Sequence, residues 1–128
     1  AWFHARGFEP VSTQDPVVLG RLGTCVDIVV RNTRDANQLL VLELKMRCST
    51  NWTNGKRTAY APLATRPLST HDHYALQTLV GSAMYAHTKK CVVGAPLLVR
   101  CDANEVCAYA PPAWATQVLP DVLRRLAE

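Results

Sequence analysis

Residues 39–46 read Leu-Leu-Val-Leu-Glu-Leu-Lys-Met, an apolar run interrupted only by Glu43 and Lys45. The run is short and apolar at both odd and even positions, which suits a strand covered on both faces. Such a strand belongs at the centre of a sheet. Upstream, residues 24–30 (Thr-Cys-Val-Asp-Ile-Val-Val) are dominated by β-branched side chains and read as a second strand. The polar stretch between them, residues 31–38, is made of turn formers, so the two strands form an antiparallel hairpin.

Charge inside this hairpin needs a reason. Asp27 lies within the first strand, and Glu43 and Lys45 lie within the most apolar strand of the chain. An unpaired buried ion costs several kcal/mol even after relaxation. If the turn centres near Asp35, paired residues have numbers that sum to about 70. Asp27 then faces Glu43, with Cβ atoms roughly 4.5–5.5 Å apart. Two facing carboxylates repel, so something positive belongs between them. The candidates are a bound divalent cation and Lys45, one pleat along on the same face as Glu43. Hard cations such as Mg²⁺ are held by one or two carboxylates together with waters and substrate phosphate. A lysine beside such a site can position or deprotonate an attacking water. The bland reading is a structural salt-bridge cluster.

Outward from the hairpin, residues 1–6 read as the end of a helix, with Gly7 at a left-handed C-cap. The chain opens at Ala1 rather than Met, so this helix is expected to be cut short. Residues 8–12 read as a first strand and residues 13–23, with Pro16, Gly20 and Gly23, as loop. Residues 47–69 read as a long loop over the hairpin, and long loops in compact domains are often functional. Ser69 and Asp72 offer a capping box. The helix they start runs to His87, with Leu76, Leu79, Val80, Ala83 and Met84 as its core stripe. Residues 92–101 and 105–110 read as strands about the turn Asp102-Ala103-Asn104. A last helix over 120–127 starts at Pro120 and buries Val122, Leu123 and Leu126. The order α-β-β-β-α-β-β-α describes one α/β (α+β) domain over 1–128, a central mixed sheet flanked by helices.

The 128 residues are 48% apolar and 19% charged, with a formal net charge of +4. That composition excludes disorder, collagen and coiled coil, and no apolar run approaches the roughly 20 residues of a membrane span. The mild basic excess fits an anionic partner without demanding one. The five cysteines are odd in number and lack CxxC spacing, which favours reduced thiols inside a cell. His71 and His73 with Cys101 or Cys107 match no standard zinc pattern.

Asp27, a gap, and then Glu43-Leu44-Lys45 resemble the signature of the PD-(D/E)XK nuclease superfamily. The surrounding "HARGFEPVS", "LGTCVDIVV" and "LLVLELKMR" are similar to that family's helix end, first strand and metal-binding hairpin. The stretch "HYALQTLVGSAMYAH" looks like the Gln-bearing helix of its RecB-like, lambda-exonuclease-like branch, which includes the mitochondrial genome-maintenance exonucleases. The likeness spans roughly Phe3 to Pro112. It implies a restriction-endonuclease-like core and a Mg²⁺- (or Mn²⁺-) dependent nuclease acting on nucleic acid, DNA ahead of RNA. Asp27, Glu43 and the backbone carbonyl of Leu44 would hold the metal, Lys45 would serve the nucleophilic water, and Gln77 would orient Lys45, the water or a phosphate.

The sequence departs from the family in carrying Val26 where many members have Pro, and it has no match to their first-helix acidic residue. Arg47, Lys56, Arg57 and Arg66 suit phosphate contacts, and Tyr74, Trp52 and Tyr60 suit contact with substrate. The alternative is a catalytically silent nuclease-fold subunit, structural or nucleic-acid-binding, in a larger protein or complex.

Overall fold

The computed structural model describes residues 2–46, 56–58, 67–102 and 104–127. A five-stranded mixed sheet has the order β1-β2-β3-β6-β7, built from β1 (Phe8–Leu19), β2 (Leu22–Asn32), β3 (Gln38–Met46), β6 (Leu97–Cys101) and β7 (Val106–Tyr109). All neighbours are antiparallel except β3 and β6. Between these two in sequence come β4 (Lys56–Thr58), β5 (Pro67–Ser69) and α2 (Thr70–Lys89); β4 and β5 pair as a separate ladder. The short α1 (Trp2–Ala5) precedes β1, and α3 (Ala113–Ala127) follows β7. The fold is thus α+β, as the sequence indicates. No helix among the described residues is long and apolar enough to cross a membrane.

The doubly apolar strand β3 occupies the centre of the sheet, and its two faces enter two cores. Val41 packs with Val17, Val26, Val29, Met84 and Tyr85, the last two from α2. Leu40 and Leu42 pack with Phe8, Val30 and Val99, and Trp2 and Phe3 of α1 close that side. The helices therefore flank the sheet on both faces. Ser69 and Asp72 make the expected capping box at the start of α2, each side chain accepting from the other's backbone N–H at 3.2 and 2.9 Å.

Five expectations are corrected. Residues 47–69 are not loop throughout, because 56–58 and 67–69 are the paired strands β4 and β5. Residues 13–19 are strand, not loop: β1 is an edge strand, where Pro10 and Pro16 leave no central ladder bond unmade. It turns back through Gly20, at φ +58, into the pair Leu19↔Leu22. The buried face of α2 is Ala75, Leu76, Thr78, Leu79, Ser82, Met84 and Tyr85, with Val80 and Ala83 only half-buried. Thr78 enters it because its hydroxyl donates to the Tyr74 carbonyl at 2.7 Å, leaving no buried donor unmet. The strand expected from residue 92 begins at Leu97, past Gly94 and Pro96. The last helix begins at Ala113 and carries Pro120 in its interior. It buries Ala115, with Trp114, Val118 and Leu119 packed on Leu76 and Leu79, while Val122 and Leu123 are half-buried and Leu126 is exposed.

Candidate functional site

The site is built where β2 leaves β3. The ladder pairs Ile28 with Leu42, Val29 with Val41 and Val30 with Leu40, each pair summing to 70. The same register carried one step further sets Asp27 against Glu43. The backbone ladder stops there, and the Leu44 N–H donates instead to Asp27 Oδ2 at 2.9 Å. Strand alternation also breaks at this point. Val26 and Val29 both join the core against α2, although an odd number of steps separates them. Asp27 and Ile28, the two residues between, both line a groove of about 440 Å³ with Thr13, Gln14, Leu44 and Met46.

Glu43 is only 7% exposed. Burial first, and the Asp27 carboxylate second, push its carboxyl above the ordinary carboxylate value, against the opposing pull of Lys45. Lys45 Nζ lies 3.3 Å from Glu43 Oε1 and donates to Gln77 Oε1 at 3.2 Å. Gln77 Nε2 donates to Glu43 Oε1 at 2.9 Å, which closes a three-membered network. The amide is oriented by its neighbours: its oxygen meets an ammonium and its nitrogen a carboxylate, and the flipped amide would oppose both. Lys45 Nζ also stands 4.5 Å from the centroid of the Tyr74 ring, a cation–π contact. The lysine is thereby fixed on one side by β3 and on the other by the first two turns of α2.

The sequence thus brings Asp27, Glu43, Lys45 and Gln77 together, with Tyr74 beneath the lysine. Lys56 and Arg57 lie in β4, but the positions of their side chains are outside the described residues, as are Arg47, Trp52, Tyr60 and Arg66. Among the described residues no group of three or more His, Cys, Asp and Glu is assembled for a metal. His71 packs edge-on against Tyr109, with centroids 5.1 Å apart.

Two neighbours were not foreseen from sequence. Arg100 pairs with Lys45 in the parallel register, and it ion-pairs with Asp102 at 3.9 Å. Nothing local in the sequence signals this parallel pairing. Gln14 Nε2 approaches Asp27 Oδ1 at 3.4 Å from β1, in a stretch that reads as loop because of Pro16.

The donor set fits a hard divalent cation. Burial and the facing Asp27 disfavour the charged form of Glu43, and a cation between the two carboxylates would reverse the sign of their interaction. The Leu44 N–H, bonded to Asp27, holds the residue whose carbonyl would be the third donor.

No protein-family model and no curated protein matches the chain. The crystal structure of SSO0001 aligns over 96% of this chain and 50% of its own, with 14% identity and a TM-score of 0.35. The chain thus spans about half the length of that structure, and at that score the likeness carries no argument.

Proposed function

We propose that the chain is a metal-dependent nuclease of the PD-(D/E)XK type, hydrolysing phosphodiester bonds of DNA or RNA. The observation that carries this reading is Glu43, a buried carboxylate set against Asp27 and joined to Lys45 and Gln77. Asp27 and Glu43, with the Leu44 carbonyl, would hold Mg²⁺ or Mn²⁺. Bound there, the ion would polarise a phosphoryl oxygen and acidify a water.

The rest falls to the chain's own groups. Lys45, fixed by Glu43, Gln77 and the Tyr74 ring, presents its ammonium protons to the attacking water or to a non-bridging phosphate oxygen. Gln77 holds the lysine and Glu43 at one spacing, so neither can collapse onto a substrate oxygen in the wrong geometry. Arg100, on the adjoining strand, adds positive potential beside Lys45, and the net charge of +4 favours an anionic partner.

The test is an incubation of purified protein with labelled single- and double-stranded DNA and RNA, in Mg²⁺, Mn²⁺ or EDTA, with Asp27→Asn alongside. Cleavage should require the metal and vanish in the variant, and calorimetry should show that the variant no longer binds Mn²⁺. Absence of cleavage in every arm, with nucleic acid still bound, would establish the silent-subunit alternative.

A further inference from the structure

Gln14 leaves a gap in the pairing of β1, whose register shifts elsewhere, between Pro10 and Ser12. On either side of it β1 keeps register with β2, through Thr13↔Ile28 and Asp15↔Val26. Gln14 itself adopts φ +49, the left-handed region that glycine and asparagine accept and a glutamine does not favour. Strain of this kind persists only where the surroundings fix the backbone. They do so here: Asp15 is ion-paired to Lys89 of α2 at 2.8 Å and accepts from Ser12 at 3.0 Å, and Val18 is clasped through both backbone groups by Thr88. Held in that conformation, the Gln14 side chain reaches across to Asp27 Oδ1 at 3.4 Å, while the Leu44 N–H holds Oδ2 at 2.9 Å. Each oxygen of Asp27 is thus approached by a donor from a different flanking strand.

We infer that Gln14 is a positioning residue, whose strained backbone exists to place an amide donor on the carboxylate that faces Glu43. The inference rests on the reading of Asp27 and Glu43 as a metal-holding pair. A carboxylate steered by a donor on one oxygen presents the remaining lone pairs in a fixed direction, and such outer partners commonly change metal affinity by 10- to 100-fold. The competing account is a local strand irregularity that only protects a sheet edge from pairing with another chain.

Two substitutions separate these accounts. Gln14→Gly relaxes the backbone and removes the amide, and Gln14→Met keeps the strain and bulk and removes only the amide. Calorimetric titration with Mn²⁺ and thermal unfolding of metal-free protein are read side by side. We expect Gln14→Gly to unfold about 3 °C higher than the wild type, yet to bind Mn²⁺ roughly tenfold more weakly. Gln14→Met should show the same loss of affinity with no rise in Tm. Mn²⁺ binding of wild-type strength in both variants would overturn the inference and leave the metal site standing. A lowered Tm in Gln14→Gly would overturn it too, by making Gln14 an ordinary structural member. A wild-type protein that binds no Mn²⁺ would remove the metal-site reading, and the inference with it.

Discussion

Replacing Glu43 by glutamine separates a functional carboxylate from a structural ion pair, because the two make opposite predictions for stability. The amide fills the same volume and can still accept from Gln77. It removes a charge that is 7% exposed and stands against Asp27. Exchanging a buried ion for a neutral group of similar size is often stabilising, by about 1–4 kcal/mol. Lys45 loses its counter-ion in the exchange, but it is 20% exposed and keeps Gln77 and the Tyr74 ring, so this loss is about 0.2–1 kcal/mol. The balance lies near the lower end of the range, about 1 kcal/mol in favour of the variant. For a domain of this size that is a rise in Tm of about 4 °C.

The pH dependence follows with its sign. The Glu43 carboxyl is raised above its ordinary value of 4.5 in the folded protein, so the folded chain keeps that proton to higher pH than the unfolded chain does. Stability is therefore present below the ordinary value and lost as pH rises through the folded value. Below the ordinary value both states are protonated and the penalty is gone. The advantage of Glu43→Gln should therefore grow as pH rises from 4 towards 7 and vanish at acid pH. Mn²⁺ reverses the order at neutral pH: at ten times Kd it stabilises the wild type by about 1.4 kcal/mol and leaves the variant unmoved. The assay is thermal or urea unfolding of EDTA-treated protein at several pH values, repeated with Mn²⁺. A variant less stable than the wild type at pH 7 without metal would refute the reasoning, since Glu43 and Lys45 would then be a stabilising pair.

Three further outcomes are expected. Lys45→Ala should bind Mn²⁺ within about threefold of the wild type yet cleave about 100-fold more slowly or worse, the pattern of a group acting on the reacting atoms; single-turnover cleavage with parallel calorimetry checks it. Gln77→Ala removes the donor to Glu43 Oε1, so it should move the onset of Mn²⁺ binding to higher pH and lower turnover about tenfold, as a pH series of titrations and rates would show. Gly81→Ala is a control away from the network: a Cβ there meets Val26 Cγ1 at 3.6 Å, an ordinary contact. It should therefore stabilise α2 by about 0.5–1 kcal/mol in urea unfolding without changing cleavage.

What could be read from sequence was local chemistry with a short range. A turn centred on Asp35 set the hairpin register, and the pairs that sum to 70 follow from it. The capping box fixed the start of α2, and from there the helical period placed Gln77 on the flank nearest the hairpin. The failures share a cause, which is that the deciding contact is distant in sequence. Pro16 argues for loop unless β1 is known to be an edge. Thr78 looks solvent-facing unless its bond to the Tyr74 carbonyl is counted. Pro120 looks like a first-turn residue unless the Pro112 carbonyl is seen to accept from Ala115 and begin the helix seven residues earlier. The placement of Arg100 beside Lys45 depends on a parallel pairing that local pattern does not encode.

The departures from local rule bear on function through where they fall. A left-handed glutamine within a strand has a structural explanation at a sheet edge. A break in alternation has one in a bulge, and a buried glutamate has one in its lysine. Each explanation suffices alone, and none predicts the position of the others. Yet Gln14, Asp27 with Ile28, and Glu43 occupy one row across three adjacent strands, each touching the next. A sheet selected only for stability would place a single apolar residue at each of these positions, since the core on either side is already Val and Leu. Local rules that fail together, in one row and at some cost in stability, are the pattern expected where a site is kept for its chemistry. Because Glu43 carries part of that cost, the metal-free stability of Glu43→Gln bears on the row it belongs to.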